Sequence, residues 1–255
     1  MPVAVNQSVP CPVDGWVTRL GRIVCPPRCL VCRTPGTAGR DLCGACRAAL
    51  PWSGAACHSC ALPLPGAVVD PGVGPGGHPE AARCGACLQR PPPLDAVAAA
   101  FTYAFPLDRL LPRFKFHHDL AAGRLLAQHM ADAFDPLPRP DALLPVPLHR
   151  SRLRSRCYDQ ALELARPLGR ALGIAVIDSA LQRRRATIAQ SRLDARQRHR
   201  NLRDAFTLAG RFPLPPHVVL VDDVMTTGAT LHAAAAVLRR AGVARVDAWV
   251  CARAP

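Results

Sequence analysis

The stretch VVLVDDVMTTGAT, residues 218–230, decides the fold. Four apolar strand formers, Val218 to Val221, run into two adjacent carboxylates, Asp222 and Asp223. Thr226, Thr227, Gly228, Ala229 and Thr230 come next, and an Ala-rich apolar segment follows. The apolar run, bounded by turn residues, predicts a buried strand over Val218–Val221. Leu231, Ala235 and Leu238 on one face predict a helix over 228–241, with Arg239 and Arg240 in its last turn and Gly242 as its stop. In an open α/β sheet, ligands collect beyond the carboxyl ends of the strands. Asp222 and Asp223 stand at such an end, and the loop behind them opens a helix whose free N–H groups and dipole favour an anion. A phosphate would rest on Thr226–Thr230. Carboxylates repel a phosphate but accept hydrogen bonds from vicinal hydroxyls. The expected ligand is therefore a sugar phosphate. The plainer alternative is a solvated Asp-Asp turn followed by a Thr helix cap.

Upstream of this stretch, strands alternate with helices, which implies a parallel α/β sheet. A β-like run covers Ala96–Tyr103. Arg109–His118 reads as a segment broken by Pro112. Ala122, Leu126, Met130 and Phe134, spaced by four, predict a helix over Asp119–Phe134. Ala142–Val146 is a short buried strand. A helix over Asp159–Leu172 carries Ala161, Leu164, Leu168 and Leu172, with Pro167 expected to bend or shorten it. Ile174–Ile177 is a further short strand, residues 182–205 are a polar, Arg-rich excursion or hood, and Arg245–Cys251 alternates as a last strand.

Cysteine spacing defines the other half of the chain. Cys29 and Cys32, Cys43 and Cys46, Cys57 and Cys60, and Cys84 and Cys87 form four C-x-x-C pairs. Each pair makes a knuckle whose thiolates point at one ion, and two knuckles close a tetrahedral site. Eight ligands suit two structural Zn2+ ions, as 29/32/43/46 and 57/60/84/87, with a crossed pairing also open. PGVGPGGHP, residues 71–79, reads as a loop inside the second set. Cys11, Cys25, Cys157 and Cys251 fall outside the pattern and read as ordinary thiols. His58 and His78 lie near ligands but are not needed as such. The segment Gln89-Arg90-Pro91-Pro92-Pro93 is a stiff boundary. The expected organisation is an irregular tail over 1–22, a double zinc ribbon over 23–92 and an α/β domain over 93–255.

Charge narrows the partners. The net charge is +14, and of the 32 basic residues only Lys115 is a lysine. Residues 101–205 hold 19 basic against 10 acidic residues, densest at RSRLRSR (150–156) and RRR (183–185). Such clusters suit a polyanion, either a phosphorylated metabolite or a nucleic-acid backbone. Aromatic residues are only 5% of the chain, so nucleic-acid contacts would be mainly to the backbone and salt-sensitive. With no run of about 20 apolar residues and no export signal, a cytoplasmic protein is expected.

VVLVDDVMTTGAT resembles the phosphoribosyl-diphosphate (PRPP) motif of type I phosphoribosyltransferases. Together with the four C-x-x-C knuckles it resembles the ComF family of competence proteins. RFKFHHD (113–119), LLPVPLHRSRLRSRCYDQ (143–160) and TIAQSRLDARQRHRNLRDAF (187–206) add to the resemblance. It implies a type I phosphoribosyltransferase-like parallel sheet with helices on both faces, preceded by a double zinc ribbon. It implies that Asp222 and Asp223 hold the ribose 2′- and 3′-hydroxyls and that Thr226, Thr227, Gly228, Ala229 and Thr230 hold the 5′-phosphate. The loop carrying His149, Arg150, Arg152, Arg154 and Arg156 would face the pyrophosphate, with Mg2+ bridging diphosphate and ribose oxygens. Lys115, the lone lysine, is expected to supply a point charge that a planar guanidinium does not replace. The family's usual Arg-Gly-Phe-Asn-Gln stands here as Arg156-Cys157-Tyr158-Asp159-Gln160, and His118 stands where the family often has Gly. Two functions stay open. One is an enzyme transferring phosphoribosyl to an unidentified acceptor, in DNA uptake. The other is a non-catalytic protein that senses PRPP or handles single-stranded DNA with DNA-uptake partners.

Overall fold

The computed structural model describes residues 26–37, 39–64, 82–184, 205–210 and 213–254. The expected tail over 1–22, the loop over 71–79 and most of the 182–205 excursion lie outside the described residues. The chain divides into two units, Met1–Ala48 and Ala49–Pro255.

In the first unit, the N–H of Cys29 donates to Thr34 O at 2.8 Å and the N–H of Arg33 donates to Cys29 O at 2.9 Å. Arg33 turns the chain with a φ of 69°, and the short helix α1 spans Gly44–Ala48. The same knuckle recurs in the second unit. The N–H of Cys57 donates to Leu62 O at 2.9 Å, and that of Ala61 to Cys57 O at 2.7 Å. Ala61 makes the left-handed turn with a φ of 53°. Helix α2, Gly85–Gln89, carries Cys87.

The rest of the second unit is a five-stranded parallel sheet with helices on both faces. In chain order its elements are β1 (Val97–Thr102), α3 (Leu107–Phe116), α4 (Leu120–Phe134), β2 (Ala142–Pro145), α5 (Arg150–Arg156), α6 (Gln160–Leu172) and β3 (Ala175–Val176). Then follow β4 (Leu181–Arg183), β5 (Phe206–Leu208), β6 (His217–Met225), α7 (Ala229–Arg240) and β7 (Arg245–Arg253). The sheet order is β1-β7-β6-β2-β3, and β4 pairs antiparallel with β5 apart from it. Helices α4 and α6 pack on each other and on one face of the sheet, while α7 packs on β6, β7 and β5. Val218, Leu220, Val246, Ala248 and Val250 form one core cluster with Leu231, Ala235 and Leu238 of α7 and with Leu181 and Phe206 of the β4–β5 ribbon. On the other face, Trp249 stacks on Phe134 with ring centroids 5.0 Å apart. The predicted stripe of α4 is buried throughout, from Ala122 to Phe134.

Three readings of the sequence change. Pro112 does not break its segment; α3 is continuous from Leu107 to Phe116. Leu107, Leu110, Leu111 and Phe114 are buried on one face of it. Each contributes about 1.5–3 kcal/mol, against about 3 kcal/mol for an interior proline. Pro167 does not shorten α6, which runs its full length to Leu172. The strand opening the ligand motif does not stop at Val221 but continues through both carboxylates to Met225. Its pairing explains why: β2 leaves it after Val221, but β7 accompanies it to Met225, opposite Arg253. The last four residues of β6 thus have one edge free of the sheet, and the cleft opens beside that edge. Among the described residues, no helix is long and apolar enough to cross a membrane.

Candidate functional site

Successive side chains of a strand point to opposite faces. Asp222, in phase with Val218 and Leu220, therefore faces the α7 side, and Asp223, in phase with Val219 and Val221, faces the α3 side. Lys115 of α3 meets Asp223 there, Nζ to Oδ2 at 3.0 Å. Each carboxylate also accepts from the next backbone N–H, Asp222 from Asp223 at 2.8 Å and Asp223 from Val224 at 2.6 Å. Burial, and then the charge of Asp223, push the Asp222 carboxyl up to about 7. The lone lysine of the sequence and the Asp pair are one cluster.

Behind Met225 the chain turns at Gly228, whose φ of 75° admits few other residues. A Cβ there would stand 2.5 Å from Met225 Cε. This glycine caps α7, whose first N–H groups have no partner within the helix. Thr226 and Thr227 are exposed and Thr230 is half-buried at its first turn.

Together these residues line a cleft of about 340 Å³. All of the predicted Asp222, Asp223, Lys115 and Thr226–Thr230 come together in it. The arginines divide. Arg152 and Arg156 line the cleft; Arg150 and Arg154 are exposed and do not. Helix phase is the cause, because residues four apart share a face and those two apart do not. Two polar residues that the sequence reading did not assign to the site also line it. Gln160, 2% exposed, accepts from Arg156 Nη1 at 2.9 Å. Arg183 of β4, with its guanidinium 5.4 Å over the Phe206 ring, has its pKa lowered by desolvation and then by Arg152. The RRR run marked Arg183 as basic; the β4–β5 ribbon, packed into the core cluster through Leu181 and Phe206, places it at the cleft. Lys115, Arg152, Arg156 and Arg183 set four cations against Asp222 and Asp223 in the cleft, a balance that suits a polyanion.

The cysteines resolve into two sets. The Sγ atoms of Cys29, Cys32, Cys43 and Cys46 lie within 4.8 Å of one another, as do those of Cys57, Cys60, Cys84 and Cys87. The pairing is not crossed. A tetrahedral site with Zn–S bonds near 2.3 Å has Sγ–Sγ edges of about 3.8 Å. Cys32 and Cys43 stand 3.6 Å apart, and Cys60 and Cys84 3.7 Å. The N–H of Cys84 donates to Cys57 Sγ at 3.2 Å. The Thr34 hydroxyl and the Cys46 N–H bring the Cys43 thiol down to about 6. Both sets fit Zn2+, with every position filled by sulfur and none open for catalysis.

Comparison with known proteins agrees with this geometry. Residues 20–88 match the double zinc ribbon domain, and residues 154–255 match the phosphoribosyl transferase domain. The chain is 37% identical over 238 residues to DNA utilization protein YhgH of Salmonella typhi, covering 89% of this chain and 97% of that one. It is 39% identical over 183 residues to Competence protein F of Haemophilus influenzae, covering 68% of this chain and 80% of that one. The chain belongs to the ComF family.

Cys157 and His118, which the resemblance set against glycine, both adopt a left-handed backbone. Cys157, at the C-cap of α5, has a φ of 60°, and His118 has a φ of 54°. Both keep the conformation that glycine adopts freely, at a cost of about 1–2 kcal/mol each. The His118 ring lies 5.9 Å from that of Tyr158, whose other neighbour is Phe114 at 5.7 Å. The Asp159 carboxylate serves the backbone rather than the cleft: Oδ1 accepts from Leu162 N at 3.2 Å and Oδ2 from Leu148 N at 2.8 Å. It ties the loop after β2 to the start of α6, and burial raises its pKa.

Proposed function

We propose that the cleft binds PRPP and that the protein uses it in the cytoplasmic handling of DNA taken up during transformation, by transferring phosphoribosyl to an acceptor. The observation that carries the reading is the meeting of Asp222, Asp223 and Lys115 with the Thr226–Thr230 loop in one cleft. Asp222 and Asp223 accept the ribose hydroxyls. The α7 N-terminus and the hydroxyls of Thr226, Thr227 and Thr230 hold the 5′-phosphate. Arg152 and Arg156, rather than Arg150 and Arg154, face the diphosphate, where charge-assisted pairs are strongest. Mg2+ bound with PRPP would supply charge neutralisation of the diphosphate, and Asp222 and Asp223 are the hard oxygen donors of the cleft that would hold it. As the bond from ribose C1 to the diphosphate breaks, negative charge grows on the diphosphate and positive charge on the ribose. The cations and carboxylates of the cleft are fixed in place to meet both.

The role in DNA follows from the names of the relatives. It is also supported by Arg150 and Arg154, which are exposed on the outer face of α5, and by Phe116, 62% exposed under the Arg156 guanidinium. These suit a single strand, and they favour a second reading in which the protein binds PRPP and DNA without turnover.

Thermal unfolding with saturating PRPP and Mg2+ tests the proposal. At a hundred times the dissociation constant, ligand adds about 2.7 kcal/mol, or about 5–10 °C for a unit of this size. No shift in zinc-loaded protein would contradict it. Pyrophosphate release with bases, nucleotides or single-stranded DNA as acceptors distinguishes transfer from binding alone.

A further inference from the structure

The second cysteine set belongs to the same unit as the cleft, and the contacts between them are specific. The His58 carbonyl, between Cys57 and Cys60, accepts from Val97 N at 2.8 Å, which attaches the knuckle to β1. Ser53 N donates to Ala100 O and Thr102 N to Pro51 O, both at 2.9 Å, along the same strand. Ala61, fully buried, lies in the core cluster shared by the sheet and α7, and Cys60 packs against that cluster.

One side chain runs from this knuckle to the phosphate loop. Arg253, the last residue of β7, is 8% exposed. Its Nε donates to the carbonyl of Cys60 at 2.8 Å, and its Nη1 donates to the carbonyl of Met225 at 3.3 Å. The Met225 carbonyl accepts a second bond, from Ala254 N at 2.9 Å. Met225 immediately precedes Thr226. The peptide between them is planar and trans, so the carbonyl and the Thr226 N–H point in opposite directions. With the carbonyl held toward β7, the Thr226 N–H is turned to the other side of β6, where Val146 and Leu148 line the cleft.

We infer that Arg253 is a positioning residue through which the second zinc site orients the phosphate loop. A four-sulfur ion fixes the Cys57–Cys60 turn and with it the Cys60 carbonyl. That carbonyl fixes the guanidinium, and the guanidinium fixes the peptide plane that opens the loop. The metal contributes to ligand binding without touching the ligand. Loss of the ion from the Cys57/Cys60/Cys84/Cys87 set loosens the loop while leaving Asp222 and Asp223 in place. The inference rests on the PRPP reading for its ligand and on the geometry alone for the coupling.

The test compares full-length zinc-loaded wild type with Arg253→Met, Arg253→Lys and Cys87→Ser. Each is measured for zinc content, PRPP affinity with Mg2+, and amide hydrogen exchange over residues 225–230 without ligand. Arg253→Met is expected to keep two zinc ions, bind PRPP about tenfold more weakly and exchange faster over the loop, with Arg253→Lys in between. Cys87→Ser is expected to lose one zinc and weaken binding to a similar degree, and to add little once Arg253→Met is present. Wild-type affinity in Arg253→Met, or additive losses in the double variant, would overturn the coupling. Should wild type itself not bind PRPP, the PRPP reading fails while hydrogen exchange still decides the coupling. Loop amides unchanged in Arg253→Lys and Cys87→Ser would then overturn it. That comparison also decides the matter if Arg253→Met does not fold.

Discussion

The two ends of the parallel sheet handle charge in opposite ways. At the N-terminal end of its strands, carboxylates are neutralised within the protein. Asp247, 6% exposed, receives His217 Nε2 at 2.8 Å and Arg245 Nε at 3.0 Å. Asp141 accepts from His217 N at 2.9 Å. Asp95 accepts from Val246 N at 2.7 Å and pairs with Arg239. At the C-terminal end, Asp222 and Asp223 are consecutive on one strand, Lys115 pairs with Asp223, and four cations surround the two acids. Polar groups at the first end hold the strands in register. Those at the second gather both acids and cations in one cleft, as the proposed ligand with hydroxyls and phosphates requires. The difference separates residues that stabilise from residues that bind, and it can be broken experimentally.

The largest expected effect is on binding. Replacing both Asp222→Asn and Asp223→Asn is expected to weaken PRPP by at least about 100-fold, the loss of charge-assisted bonds to two hydroxyls. The unfolding midpoint should not fall by a comparable amount, because Asp222→Asn removes the penalty of ionising a carboxyl whose pKa burial raises, which offsets loss of the part-buried Lys115–Asp223 pair. Asp247→Ala should do the reverse. It leaves His217 and Arg245 without their shared acceptor and is expected to cost about 3 kcal/mol in denaturant unfolding, with PRPP affinity retained. Equal effects of the two substitutions on binding would erase the distinction between the ends.

Within the C-terminal end, helix phase makes a sharper contrast. Arg156→Ala is expected to reduce PRPP affinity about tenfold and Arg150→Ala less than twofold, by calorimetry at fixed salt. The same two variants should exchange rank for single-stranded DNA, where the outward arginines matter.

Protonation gives a further test. Asp222 titrates near 7 in the folded protein, above the ordinary carboxylate value of about 3.9. Between those values the folded state holds a proton that the unfolded state has lost. Stability of the ligand-free protein therefore falls as pH rises from about 4 to about 7. Asp222→Asn should flatten that slope. PRPP needs the ionised acceptor, so its affinity should rise through about pH 7, opposite in sign to the stability. The smallest effect concerns the backbone: Cys157→Gly should stabilise by about 0.5–1 kcal/mol, relief of the left-handed strain less the entropy of glycine.

Much of this could be read from the chain because the signals were local. The strand, turn and helix of 218–241 are contiguous, and C-x-x-C spacing is a short-range property that identified all eight cysteine ligands, though not which pairs share an ion. Lys115 stood out by composition alone. Long-range placement was not legible. Nothing in RSRLRSR says which alternate arginines face inward until α5 is docked. Gln160, Arg183 and Arg253 reach their positions only through tertiary packing. Pro112 misled because local propensity was outweighed by four buried side chains on α3. The extension of β6 to Met225 depends on β7, a partner that sequence pattern does not reveal.

The Asp222–Asp223 end of the sheet is proposed as a PRPP site. Isothermal titration of zinc-loaded protein with PRPP and Mg2+ tests it most directly. Saturable binding to one site per chain is expected, lost in the Asp222→Asn, Asp223→Asn double variant that still holds two zinc ions. Absence of binding by zinc-loaded wild type, or undiminished affinity in that variant, would contradict it.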